Sequence, residues 1–197
     1  MYTLDEYKAI KSKYGAYSSW AIWDYQKESE TSIIDKNYVD LGADYILLGL
    51  NISAALGKEP WVNFHGGKHD RKLKYACNNT KLRGSYITDL FKDLPEAKSN
   101  KLNDQLTEKI IKENVKFFNQ EMNDVKINSN SQFIVFGKQD SQIAQIFNEY
   151  FNQEYKNPVI YHYHYSYYGI TDEVWVQGLW DKLDIESDYK LTLNKYK

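Results

Sequence analysis

A chain of 197 residues with a formal net charge of −2 and a single cysteine, Cys77, is long enough for one domain with its own core and has no disulfide framework. The balanced charge excludes a protein that coats nucleic acid by bulk electrostatics, while leaving room for a local basic rim. There is no charged start followed by an apolar stretch, and no apolar run nears the roughly 20 residues of a membrane span, so a soluble cytoplasmic protein is expected. Eighteen tyrosines and five tryptophans are many. Half-buried packing with wet polar tips is one use for them, and stacking on bases or sugars is another.

In chain order, Thr3 and Glu6 make a capping box, which predicts a short helix to about Tyr14 closed by Gly15. YGAYSSWAIWDYQ (14–26) is aromatic and small without a clean period, and residues 24–43 are polar. Together they predict an irregular N-terminal arm over about 1–43. Tyr45 to Leu50 is a continuous apolar run, as for a strand covered on both faces. Residues 51–67 read as loop, 69–79 as helix and 85–90 as a second strand. Asn103 and Asp104 are placed to cap a long helix to about Met122, with Leu106, Ile110, Ile111, Val115 and Phe118 on one face. A third strand, 133–136, closes at Gly137; a helix follows over 139–155, a fourth strand over 159–163 and a last amphipathic helix over 172–183.

Strands alternating with helices imply an α/β fold: a three-layer α/β/α sandwich around a central, mainly parallel four-stranded sheet, in one domain. In such sheets ligands bind beyond the carboxyl ends of the strands. Those ends carry Asn51 and Ser53, then Thr88 and Asp89, then Gly137-Lys138-Gln139, then His162, His164 and Ser166. Each alone has an ordinary structural use, since Asn forms turns and Asp caps loop amides. Asn51, Asp89 and His164 at one sheet edge point to a site.

Other constellations compete. His65 and His69 stand at i, i+4 with Asp70 and Cys77 near, a spacing that suits a metal on one helix. Gly66-Gly67 interrupt that helix and no fourth ligand follows, so no metal and no cofactor are expected. HGGKHDRK (65–72) is either a phosphate-contacting loop, with Lys68 and Arg71 as donors, or a solvated loop entering a helix. No P-loop, dinucleotide fingerprint or G-x-S-x-G elbow is present.

GLNIS (49–53), GSYITDLFK (84–92), FIVFGK (133–138) and YHYHYSYYG (161–169) stand in an order and spacing that resembles the uracil-DNA glycosylase superfamily, nearest its mismatch-specific branch. The resemblance spans about residues 44–170. It implies that Asn51 positions or activates the attacking water, that His164 faces a base carbonyl and that Ser166 contacts a phosphate. It further implies that Ile52, Ser53, Thr88 and Asp89 line the substrate pocket. Phe64, or alternatively Trp61, would stack on the flipped base. Lys68 and Arg71 would meet DNA, with Tyr167 or Tyr168 as a wedge. Ile52 and Tyr165 replace prolines of the family pattern, and no aspartate follows the first-motif glycine. The implied protein is a monomeric DNA glycosylase that hydrolyses the N-glycosidic bond of a flipped uracil or other damaged base. The alternatives are a non-catalytic nucleic-acid or nucleotide-binding module on the same fold, and a hydrolase of free nucleosides.

Overall fold

The computed structural model describes residues 1–52, 59–67, 69–92, 94 and 105–194. Helix α1 (Leu4–Tyr14) begins as the capping box requires: Thr3 Oγ1 accepts from Glu6 N–H and Glu6 Oε2 accepts from Thr3 N–H, leaving neither donor orphaned. The arm then supplies strand β1 (Ser19–Trp20), and a short helix α2 (Ser32–Lys36) with a single 3₁₀ turn over Tyr38–Asp40 occupies part of the polar stretch 24–43. Strand β2 (Gly42–Asn51), helix α3 (Arg71–Cys77) and strand β3 (Ser85–Phe91) follow. Next come helix α4 (Glu108–Asp124), strand β4 (Gln132–Phe136) and helix α5 (Gln142–Ile146), which runs on as a π-helical turn over Phe147–Phe151. Strand β5 (Val159–His162) and helices α6 (Asp172–Lys182) and α7 (Tyr189–Asn194) complete the chain.

The sheet has five strands in the order β1-β3-β2-β4-β5, not the four expected. The four strands read from the sequence are parallel to one another, and β1 joins antiparallel at the β3 edge. Two residues carry no period for a pattern to detect. What holds them is the Trp20 ring, which meets Tyr2, Tyr86 and Trp61 edge-on at 5.5, 4.7 and 6.1 Å. The long helix also starts later than expected. Thr107 caps α4 by accepting from Ile110 N–H, and Asn103 and Asp104 lie outside the described residues.

Alternate residues of each strand face opposite layers. Ile46, Leu48, Tyr86, Phe133 and Val135 pack in one core with Tyr7, Ile10, Phe118, Met122 and Phe147. Leu47, Ile87, Ile134 and Phe136 pack in the other with Leu73, Ala76, Trp175, Leu179 and Trp180. Both faces are therefore covered, which is why β2 reads as an unbroken apolar run. Among the described residues, no helix is long and apolar enough to cross a membrane.

One polar cluster interrupts the first core. Glu121 of α4 is fully buried and accepts from the hydroxyls of Ser18 (2.6 Å), Tyr86 (2.8 Å) and Thr88 (2.9 Å), with Lys92 Nζ 2.8 Å from its carboxylate. Lys92 also donates to Thr88 and to the Asp89 carbonyl. The buried charge is thus paired and hydrogen-bonded on several sides, the condition under which burial is tolerated.

Candidate functional site

The chain leaves β2 toward β3 on one side and places β4 and β5 on the other, so the strand order reverses between β2 and β4. A cleft of about 590 Å³ opens beyond the carboxyl ends there, where α/β sheets bind ligands. Its lining includes Asn51, Asn63, His69, Asp70, Asp89 and His164, with Ser166, Tyr163, Tyr165 and Tyr167 beside them. Asn51, Asp89 and His164, expected at one edge, do line one cavity.

Asp89 is the buried acid of this cleft. It pairs with Gly49 across the sheet, and a Cβ at Gly49 would stand 2.1 Å from Asp89 Oδ1. Only a bare backbone on β2 lets the carboxylate lie there. Asn63 Nδ2 donates to Asp89 Oδ2 at 3.0 Å and to the Tyr17 carbonyl at 2.7 Å. Burial pushes the Asp89 carboxyl up to about 6, against the lowering pull of Asn63 and of the Lys92 charge. Asp70 accepts from Gly67 N–H at 2.8 Å, and burial raises its pKa as well.

Asn63 owes its place to a strained loop. Trp61 and Phe64 adopt left-handed conformations with φ of 69° and 67°, uncommon for bulky residues. Trp61 N–H donates to the Gly15 carbonyl and its indole N–H to Tyr7 Oη, while Trp23 donates to the Phe64 carbonyl. Both rings are buried in the cores, and neither lines the cleft. The ring that does lie against the histidine is Tyr165, 4.3 Å from His164 with planes 27° apart.

The contacts of His164 favour the neutral tautomer that donates from Nε2. Ser166 N–H donates to Nδ1 at 3.2 Å, and Ser166 Oγ lies 2.7 Å from the same nitrogen. A nitrogen that accepts an amide proton carries none of its own, so the ring proton sits on Nε2. Burial, with the charges of His69 and Lys72, lowers the pKa to about 4, so the ring is neutral at pH 7. Ser166, expected at a phosphate, here orients the histidine.

The remaining expected residues are placed as follows. Asn51 Nδ2 donates to the carbonyls of Ile52 (3.0 Å) and Leu94 (2.8 Å), tying the exit of β2 to the chain after β3. Ile52 is buried. Thr88 points away from the cleft into the Glu121 cluster, a correction forced by strand parity: it and Asp89 are neighbours and must face opposite layers. Arg71 donates to Asp172 at 2.8 Å, and Tyr167 and Tyr168 stand at the rim. Ser53 and Lys68 lie outside the described residues. His65 is buried with its ring stacked on Trp23 at 5.0 Å, away from His69, and no group of three or more His, Cys, Asp or Glu able to hold a metal occurs among the described residues. His162 is also buried, its Nε2 2.8 Å from the Trp175 carbonyl.

Sequence reasoning missed Asn63 and Tyr165 as cleft residues and weighed Asp70 only as a metal ligand. Tyr165 had a signal, since it stands between His164 and Ser166. Asn63 had none, because its position depends on two backbone conformations that its neighbours rarely adopt. Comparison with protein-family models, with curated proteins and with solved structures gives no match for this chain.

Proposed function

We propose that this protein hydrolyses the N-glycosidic bond of a base turned out of a nucleic-acid strand, on an α/β/α fold of the uracil-DNA glycosylase kind. The reading is carried by one observation: a neutral histidine donor and a buried carboxylate with a pKa of about 6 line the same carboxyl-end cleft. Breaking the bond sends its electron pair to the base, which leaves as an anion, and develops positive charge on the sugar. His164 Nε2–H donates to a base carbonyl and stabilises that anion. Ionised Asp89 takes the proton of the water that adds to the sugar carbon, and its charge favours the cationic transition state. Asn63 holds Asp89 in place. Extruding the base costs a few kcal/mol, partly offset by the ring of Tyr165.

The test is strand cleavage at abasic sites by alkali, using end-labelled oligonucleotides that carry uracil, hypoxanthine or a G·T or G·U mismatch. Cleavage is expected with at least one of these, falling roughly 10²- to 10⁴-fold in Asp89→Asn and about 10²-fold or more in His164→Ala. Absence of cleavage across the panel by the folded protein overturns the proposal. A second reading, a non-catalytic binding module, draws on Asn51, whose amide donors hold backbone carbonyls. Binding of these oligonucleotides without cleavage would select it.

A further inference from the structure

The geometry points to a single-stranded substrate: Tyr163, Tyr167 and Tyr168 form a stacked column that leads an unpaired nucleic-acid strand out of the cleft. The inference rests on the nucleic-acid reading of the cleft and adds the form of the substrate. Tyr163 and Tyr167 line the cleft and stack at 4.9 Å with planes 13° apart. Tyr168 continues the stack at 6.2 Å and 29°, and its side chain is 93% exposed. Lys138 Nζ lies 5.1 Å over the Tyr163 ring, on the inner end of the column. The outermost ring therefore keeps a free face in water.

Tyr167, the middle ring of the column, is held in place. Tyr167 N–H donates to the His164 carbonyl, and the buried Lys72 ammonium donates to the Tyr167 carbonyl at 2.7 Å. Gly169 leaves room for the Tyr167 hydroxyl, which would lie 2.3 Å from a Cβ there. With Tyr167 fixed, only the Tyr168 side chain has to be ordered when a base stacks on the outer end.

Charge decides between a strand and a duplex. Duplex binders hold several phosphates with free cations. Here the net charge is −2, and among the described residues near the cleft Arg71 is paired with Asp172, Lys72 and Lys182 donate to backbone carbonyls, and Lys138 lies over the Tyr163 ring. Stacking needs no such array, because every base has a π-face.

The experiment is fluorescence anisotropy with an undamaged labelled oligothymidylate and an undamaged duplex of equal length, across a salt series. The single strand is expected to bind more tightly than the duplex, with a shallow salt dependence. Tyr168→Ala should weaken single-strand binding roughly five- to a hundredfold, while Tyr168→Trp retains it. The exposed position makes loss of folding an unsuitable explanation, and a thermal melt checks this. Equal or tighter duplex binding, no binding of either, or an unaffected Tyr168→Ala each overturns the inference. Undamaged strands need no excision, so binding without cleavage removes only the hydrolase reading. Excision with equal strand and duplex affinity removes only this one.

Discussion

At the scale of single residues, the proposed reaction draws its base and its pH dependence from Asp89. Its folded pKa of about 6 lies above the ordinary carboxylate value, so activity should rise with pH through about 6 and level off above, while His164, titrating near 4, stays neutral throughout. A pH–rate profile checks this. Asn63→Ala removes a hydrogen bond that favours the ionised form, so the rising limb should move to higher pH. The stability effect has the opposite sense to that of a salt-bridged acid: the folded state holds its proton more tightly, so Asp89 weakens the fold as pH rises from about 4 to about 6. Asp89→Asn should therefore stabilise the fold above pH 6 by up to about 3 kcal/mol, read as a higher melting temperature, and leave stability unchanged near pH 4. His164 was legible as a polar tip after the fourth strand. Asn63 was not, because a propensity reading gives Trp61 and Phe64 no reason to turn left-handed.

At the scale of elements, β3 has a polar residue on each face. Thr88 reaches the Glu121 cluster and Asp89 reaches the cleft, one residue apart. The period of two is enough to separate them, whereas their place near the strand's carboxyl end and the family resemblance put both in one pocket. Strand existence was legible from apolar runs, whereas β1, held by one tryptophan ring, was not. Gly49→Ala puts a methyl against the Asp89 carboxylate across the β2–β3 pair. It should cost about 1–3 kcal/mol in denaturant unfolding and abolish excision, since overpacking displaces the acid. Glu121→Ala leaves Lys92 buried without its partner and should cost about 3–5 kcal/mol. The double variant with Lys92→Met should recover part of that loss, as read by the same unfolding curves.

For the whole molecule, His65 and His162 join His164 in limiting stability in acid. Both are buried and both have pKa values lowered to about 4 by burial. The unfolded chain binds their protons first, so stability is constant above about pH 6.5 and falls as pH drops toward 4, by about 3 kcal/mol at most for each. In Asp89→Asn, where the opposing titration of Asp89 is removed, melting temperatures between pH 4 and 8 should show this decline, and a flat profile there would contradict the buried neutral rings. Lys92, on the far side of the sheet from the cleft, has a further consequence. Its charge lowers the pKa of Asp89 while that of Glu121 raises it, and one strand separates the two acids. Substitutions around α4, remote from any bound strand, can therefore retune the acidity at which the cleft works. A lineage adapting to a more acidic or alkaline habitat could shift its optimum without altering a single residue that touches substrate.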